Sequence, residues 1–261
     1  MCILRMALLI VLLVSIWPLY IAAQATGSLD LQGKALKIDG KSGAVSRKRF
    51  YLFKGGLKDN QDLIARLRKA EIKSRDCFYT QMKASPQFIC WLQAENCESP
   101  FCRTVAAPDI PRVPEFQSAY NAGLTKFRGL TTVADDWILT NMPEMLTRGF
   151  FDERRALTAS LLGSVKPVQS VMTDSTSVKA IFIDIPVTPP AGKRTETFLY
   201  SNVQPLEFGN KSYVWACEVE IGTEKKAVAS LPVPDPSKPV KNCEFIVRDL
   251  PVCKTESCKA K

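Results

Sequence analysis

The chain has 261 residues, carries 35 Lys and Arg against 26 Asp and Glu, and contains no histidine. Without histidine it has no Ser-His-Asp or Cys-His catalytic set and no His-ligated metal site. The net charge of +9 attracts anionic surfaces and aids solubility, but it does not indicate a fold. The composition therefore excludes the commonest hydrolytic mechanisms before any motif is considered.

The N-terminal residues are typical of a secretory signal. An apolar stretch from Met6 to Ile16 is followed by Ala23-Gln24-Ala25, the small-x-small pattern that signal peptidase cleaves. We expect residues 1–25 to be removed, so that the mature chain begins near Thr26 and is secreted, periplasmic or at the cell surface. The alternative is an uncleaved membrane anchor, because extending the apolar stretch to Ala23 gives a segment at the lower length limit for crossing a bilayer.

The cysteines indicate an oxidising compartment. Loss of Cys2 with the signal leaves eight, an even number that is typical of disulfides in an exported protein. They form two groups of four, which are Cys77, Cys90, Cys97 and Cys102, then Cys217, Cys243, Cys253 and Cys258. Each group has a C-x4-C spacing and neither has the C-x2-C of a zinc site, so we expect no metal and no cofactor.

We predict that each disulfide forms within one group. Cys77 and Cys90 would join neighbouring helices, and Cys97–Cys102 would close a short loop. In the second group, Cys217–Cys243 would join two inward-facing strand positions, because disulfides need Cβ atoms about 4 Å apart. Cys253–Cys258 would then close the basic tail.

Residues 26–57 are expected to form the first strands. Arg49 to Phe53 is rich in aromatic residues, as strands often are, and Gly55-Gly56 ends this run. The hydrophobic period changes after this point. Residues 58–164 are expected to be mainly helical, with Asp59 and Asp152 as N-caps of the first and last helices.

Residues 165–249 return to a period of two, which predicts strands. Val178 to Ile185 is apolar at nearly every position, which favours a central strand covered on both faces. Tyr213 to Ile221 alternates and turns Cys217 inward. Residues 250–261 remain as a basic tail closed by its own disulfide.

Two stretches resemble a known family. Leu31 to Phe53, within residues 29–54, is similar to the opening strands of the carboxypeptidase regulatory-like, or prealbumin-like, β-sandwich. Thr173-Asp174 followed by Ala180-Ile-Phe-Ile-Asp-Ile-Pro186, within residues 172–232, resembles the turn and alternating strand of that family. The resemblance implies an α+β protein: an antiparallel β-sandwich built from both ends of the chain, with a large helical insertion.

The resemblance has two consequences. The ends of the insertion, Gly56 and Val165, should lie close together, because strands on both sides belong to one sandwich. The family carries no catalytic residues; it supplies folding, spacing or adhesion modules, so the resemblance implies a non-catalytic protein.

The densest basic cluster is Arg47-Lys48-Arg49. One interpretation is a binding patch for an anionic polymer of the cell envelope, and the other is a charged edge strand that discourages pairing between sheets. Another surface protein is the second possible kind of partner. No nucleic-acid partner is expected, because the chain has no recognition motif for one.

Several carboxylates lie in the helical region: Asp135, Asp136, Glu144, Asp152 and Glu153. Two of them could flank a glycosidic bond as acid and nucleophile or base, although helix capping explains Asp135 and Asp152 as well. Similarly, Trp91, Trp137 and Trp215 could stack on sugars, but all three lie on apolar faces, which predicts core positions.

The sequence thus favours an exported, non-catalytic binding or structural protein of the cell envelope or extracellular space. The alternative is a secreted carboxylate-dependent hydrolase acting on carbohydrate or cell wall. An enzyme needs a cleft with two converging carboxyl groups, whereas a binding protein needs a flat or ridged patch.

Overall fold

A computed structural model describes residues 25–33, 36–38, 41–43, 47–94, 97–174, 178–208, 210–232, 240–253 and 258. The predicted signal peptide lies outside the described residues apart from Ala25, as does most of the tail beyond residue 253. The first strand begins at Thr26.

Two sheets and a short hairpin contain the strands. The first four strands are β1 (Thr26–Gly33), β2 (Leu36–Ile38), β3 (Lys41–Gly43) and β4 (Arg49–Lys54). The remaining strands follow the helices and are β5 (Gln169–Met172), β6 (Val178–Pro186), β7 (Thr195–Ser201), β8 (Leu206–Phe208), β9 (Lys211–Gly222), β10 (Ala227–Leu231) and β11 (Cys243–Asp249).

The larger sheet has the order β11-β9-β7-β4-β5, with β8 also paired to β9, and all its pairs are antiparallel. The smaller sheet has the order β10-β1-β6, in which β1 runs antiparallel to β6 and parallel to β10. Strands from both ends of the chain therefore share each sheet. Together with the helices between β4 and β5, these sheets confirm the predicted mixed class of helices and strands.

The larger sheet is buried on both faces. On one face Trp215, Phe50 and Phe198 pack in a cluster that also contains Leu29 and Phe182 of the smaller sheet. On the other face, the intervening side chains pack against helices, and these include Val214, Ala216, Phe53 and Leu199. Alternation along β9 thus places apolar residues in two different cores.

Eight α-helices lie between β4 and β5 in the described residues. They are α1 (Gln61–Lys69), α2 (Arg75–Gln81), α3 (Pro86–Ala94), α4 (Pro114–Lys126), α5 (Thr131–Asp136), α6 (Ile138–Asn141), α7 (Glu144–Thr147) and α8 (Gly149–Leu162). Two 3₁₀ turns, Pro100–Cys102 and Ala107–Arg112, lie between α3 and α4. Helices α1 and α8 cover the larger sheet. Helix α8 also contributes Phe150 to a separate aromatic core, which it shares with α2, α3, α4, α6 and α7 and which includes Phe88 and Phe116.

The chain leaves and re-enters the larger sheet at the same place. Gly55, with φ of 80°, donates its N–H to the carbonyl of Thr197 at 3.0 Å, and the chain then turns towards α1. On its return, the Val168 N–H bonds the carbonyl of Leu52 at 2.7 Å. Strands β4, β5 and β7 are neighbours, as expected if the sequences on either side of the helices form one sheet.

The predicted helix caps are wrong in detail. Asn60 occupies the N-cap of α1, and the Asp59 carboxylate instead accepts the Gly56 N–H at 2.8 Å. Helix α8 begins at Gly149, so Asp152 lies inside its first turn, where a negative charge still favours the positive end of the helix.

The prediction that Val178 to Ile185 forms a central strand is also wrong. These residues lie in β6, which is at one edge of the smaller sheet and pairs only with β1 in the described part of the chain. Phe182 and Ile185 face the core, but Ile181 and Ile183 are 43% and 58% exposed. Within the described residues, the apolar side chains of the outer face are therefore left exposed.

Two of the four predicted disulfides are confirmed. Cys97–Cys102 closes the short loop, and Cys217–Cys243 joins positions that lie directly opposite each other on β9 and β11. The other two predictions are wrong, because the bonds are Cys77–Cys253 and Cys90–Cys258. The tail is therefore not closed on itself but is bonded to α2 and α3.

The C-terminal segment is held on the helices by polar contacts as well. The Ser74 hydroxyl caps α2 through the Cys77 N–H and also donates to the carbonyl of Pro251 at 3.1 Å. The Arg248 guanidinium donates to the carbonyls of Leu67 and Ala70, at the end of α1. This part of the chain has few buried apolar groups, so covalent and polar contacts fix its position.

We expect the two tail disulfides to stabilise the fold cooperatively. Whichever tail disulfide forms first closes a loop spanning 168 or 176 residues, which contributes about 5 kcal/mol on the chain-entropy estimate. Once it is present, the other disulfide closes a loop of only roughly 20 residues and contributes about 3 kcal/mol. Paired serine substitutions at Cys77 and Cys253, or at Cys90 and Cys258, should each lower the free energy of unfolding by about 3 kcal/mol, and all four together by about 8 kcal/mol.

Denaturant unfolding of the three variants measures these differences. The Cys97→Ser/Cys102→Ser variant is the matched control, with an expected loss of about 2 kcal/mol for its short loop. Strictly additive losses for the tail bridges would contradict this account.

Candidate functional site

The predicted basic cluster lies at the start of β4. Lys48 forms an ion pair with Glu98, and Arg49 donates to the Ser170 hydroxyl at 3.1 Å. Arg47 is exposed and has a positive φ of 55°. Because β4 lies between β5 and β7, the interpretation as a charged edge strand is wrong, and the anionic-patch interpretation stays a prediction.

The predicted carboxylates occupy several separate positions. Asp135 and Asp136 are in α5 and Glu144 begins α7. Although Asp152 and Glu153 are adjacent, they line different cavities: Asp152 forms an ion pair with Arg155, and Glu153 pairs with Lys73 at 3.1 Å.

The three tryptophans do not share a surface. Trp215 is buried between the sheets, where its indole N–H donates to the Pro232 carbonyl at 2.9 Å, and Trp91 is in the helical core. The core interpretation is wrong for Trp137, which is 36% exposed. Its ring lies edge-on to Phe127, with the Lys126 ammonium 4.4 Å from its centroid.

A cleft of about 830 Å³ lies between the helices and the C-terminal segment. Its walls come from residues 70–73, from the exposed side of α8 and from residues 248–253, including the Cys77–Cys253 disulfide. Three carboxylates and three cations line it, namely Glu71, Glu153, Asp249, Lys73, Arg154 and Arg248.

Arg154 is the most buried charge in this cleft, with 4% of its surface exposed. Its guanidinium pairs with Glu207 of β8, donates to the Lys73 carbonyl at 3.2 Å and lies 4.8 Å from the ring centre of Phe150. Burial lowers the pKa of Arg154 to about 10, an effect that Glu98 and Glu153 oppose. Arg154 is therefore still charged at neutral pH and joins α8 to the larger sheet.

The other cations of the cleft are also engaged within the protein. Lys73 pairs with Glu153, and Arg248 binds the carbonyls at the end of α1, with its pKa lowered by burial. The three cations of the cleft thus stabilise the fold, so they are poorly placed to bind an anionic ligand.

A second cavity, which we call the Phe101–Phe151 hollow, differs from the cleft because exposed aromatic rings line it. It has a volume of about 490 Å³ and is lined by Phe101, Arg148, Phe151, Asp152 and Arg155. The two phenylalanines are 50% and 42% exposed. Apolar groups of this size next to guanidinium groups form a surface suited to binding.

The hollow is held by three neighbouring elements. Phe101 is in the 3₁₀ turn inside the Cys97–Cys102 loop, and the Ser99 hydroxyl accepts the Phe101 N–H at 3.3 Å. Helix α7 contacts this turn, while α8 supplies Phe151. In the described part of the chain, Arg148 forms no ion pair.

Sequence reasoning missed the hollow, although two signals were present. Phe101 lies inside a disulfide-closed loop too short to bury a large side chain. Phe150 and Phe151 are adjacent on one helix, so both cannot face the same core; Phe150 is buried and Phe151 is not.

Comparison of this chain with protein-family models, curated proteins and solved structures finds no match to any of them. Among the described residues, no helix is long and apolar enough to cross a membrane, and no group of His, Cys, Asp or Glu could hold a metal ion. The disulfides in this part of the chain are compatible with an extracellular or secreted protein.

We expect Arg154→Met to lower the free energy of unfolding by about 3–5 kcal/mol, because it leaves the Glu207 carboxylate without its buried partner. Adding Glu207→Gln should recover part of this loss, since the amide oxygen can still accept the Arg75 N–H that Glu207 binds at 3.2 Å. Denaturant unfolding of the single and double variants measures the coupling. If the two losses simply add, the ion pair does not couple α8 to β8.

Proposed function

We propose that the protein is an exported, non-catalytic binding or structural protein of the cell envelope or extracellular space. The observation that carries the proposal is the Phe101–Phe151 hollow: exposed rings beside Arg148, on a frame cross-linked by disulfides. A hollow lined by aromatic and arginine side chains is typical of binding surfaces.

We also propose that the two sheets form a β-sandwich related to the carboxypeptidase regulatory-like family, with residues 58–164 inserted. In support, one buried cluster takes side chains from both sheets, and β4 pairs with strands that follow the helices. This fold would make the sheets a support that presents the helical surface.

The chemistry of the hollow favours an anionic polymer of the envelope as its ligand. Asp152 is neutralised by Arg155, which leaves the charge of Arg148 available for a carboxylate or phosphate. Arginine matches such groups with two parallel hydrogen bonds, and the flanking rings offer apolar contact area.

The alternative is a secreted hydrolase acting on carbohydrate or cell wall through carboxylates. What favours it is the cleft between the helices and the C-terminal segment, which contains Glu71, Glu153 and Asp249. Because Glu153 is paired with Lys73, it would have to break that ion pair to act as an acid or base.

We expect the protein to bind a carboxylated polysaccharide such as polygalacturonate more tightly than neutral dextran, and less tightly as salt is raised. Arg148→Ala should weaken binding about tenfold or more, because a hydrogen bond to a charged group contributes about 1.5–3 kcal/mol. Phe151→Ser should also weaken it. Affinity electrophoresis or calorimetry provides the measurement.

Two control variants test whether the polymer binds at the hollow. Arg128→Ala removes an exposed arginine elsewhere and should leave binding unchanged, while Arg47→Ala/Arg49→Ala tests the basic cluster predicted from the sequence. If only the latter variant loses binding, the ligand site is that cluster. Cleavage of the polymer that Glu153→Gln abolishes would instead establish the hydrolase.

A further inference from the structure

The outer face of the smaller sheet carries a buried charge between two exposed aliphatic side chains. Asp30 of β1 lies directly opposite Val228 of β10 on one side and Ile181 of β6 on the other, and the register is continuous at this level. Because the adjacent Leu29 and Phe182 pack in the core, these three side chains lie on the outer face. Val228 is 65% exposed and Ile181 is also exposed, whereas Asp30 is only 5% exposed.

Two lysines cover the carboxylate of Asp30. Lys226 of β10 and Lys179 of β6 place their ammonium nitrogens 3.0 and 3.4 Å from the same oxygen, Oδ2 of Asp30. Burial acts to raise the pKa of Asp30, but hydrogen bonds from Lys226, Gln32 and Lys179 outweigh it, so the pKa is lowered. The carboxylate is therefore charged at neutral pH, and the two ammonium groups around it leave one positive charge in excess.

Both lysines remain available to a ligand. Their side chains are half-buried, and an ammonium group with three N–H donors can bind a phosphate while it keeps its contact with Asp30. Lys226 and Val228 are two residues apart on β10, as are Lys179 and Ile181 on β6, so each lysine adjoins an exposed aliphatic side chain on the same face. The face thus combines aliphatic groups with excess positive charge.

This composition matches a lipid surface better than a polysaccharide. Exposed aliphatic groups bind at the boundary between headgroups and acyl chains, and neighbouring lysines are attracted to anionic headgroups. Among the described residues of β1, β6 and β10, Phe182 is the only aromatic residue, and it faces the core, so this face offers no ring on which a sugar could stack. It differs in this respect from the Phe101–Phe151 hollow.

We propose that the outer face of the smaller sheet docks on the surface of a membrane that contains anionic phospholipid. Val228 and Ile181 enter the headgroup region, and Lys226 and Lys179 bind lipid phosphates on either side of Asp30. The apolar area that enters the membrane is small, so the contact is reversible and weakens as salt is raised. The proposal does not depend on the hollow, because none of these residues lines it.

Co-sedimentation of the oxidised mature chain with vesicles tests the proposal. Vesicles of phosphatidylglycerol and phosphatidylcholine in equal parts should bind the chain at least about fivefold more tightly than vesicles of phosphatidylcholine alone, the factor expected for one positive charge near an anionic surface. Equal binding to both kinds of vesicle, or binding to neither, would overturn the proposal.

Asp30→Asn separates lipid binding from a structural role. It removes the negative charge between the lysines and keeps the size of the side chain, so binding to the anionic vesicles should tighten about fivefold; a variant that merely loosened the sheet would not gain affinity. Lys226→Gln should weaken binding about fivefold while keeping an N–H donor for Asp30. If neither variant changes the affinity, the lysines do not bind lipid and the proposal is wrong.

Ile181→Ser/Val228→Ser should weaken vesicle binding about tenfold, because it removes both aliphatic groups from the contact. Val252→Ser is the matched control, since Val252 is exposed beside the cleft, and Arg148→Ala tests the hollow. Both should bind vesicles like the unmodified chain, and Ile181→Ser/Val228→Ser should keep its affinity for polygalacturonate. Loss of vesicle binding in Arg148→Ala, or of polymer binding in the serine variant, would show that one surface binds both ligands and would contradict the proposal.

Discussion

Burial of the larger sheet on both faces is the constraint on which the rest of the structure depends. Alternate residues of β9 pack between the sheets and against helices α1 and α8. Removing the helices would expose Val214, Ala216 and Leu199, which no polar layer would cover. The helical region is therefore part of the folded core rather than an appendage, even though its sequence interrupts the strands.

The remaining links between helices and sheet are made where apolar contacts are few. The C-terminal segment reaches α2 and α3 through two disulfides, and Arg154 joins α8 to β8 beneath the cleft. Arg248 performs a related role by binding carbonyl groups at the end of α1, which the helix itself leaves without partners. Charge and covalent bonds thus stabilise the contacts that hydrophobic packing does not.

How far the sequence predicted this arrangement depended on whether a feature was local. Cys217–Cys243 follows from alternation along two strands, and Cys97–Cys102 from a short loop, whereas Cys77–Cys253 depends on the path of the tail over the helices. Periodicity shows that β6 is apolar, but it cannot show that Ile181 and Ile183 on its outer face are exposed.

Arg154 and the hollow also differ in how well the sequence could predict them. Arg154 has a local signal, because it shares one helical face with the buried Phe150, Thr158 and Leu161, a place where a charge needs a partner. The sequence signal for the hollow is weaker, because Phe101, Arg148 and Phe151 come from different parts of the chain and only folding brings them together.

The position of the hollow is favourable for binding for a further reason. The turn that carries Phe101 is closed by Cys97–Cys102 and followed by Arg103, whose guanidinium lies 4.3 Å from the centre of the Trp91 ring. The other side is α8, fixed to the sheet by Arg154. The backbone of such a frame loses little conformational freedom when a ligand binds, so a small contact area can still give useful affinity. The bonds that hold the helices to the sheets therefore also determine how rigidly the exposed rings are presented.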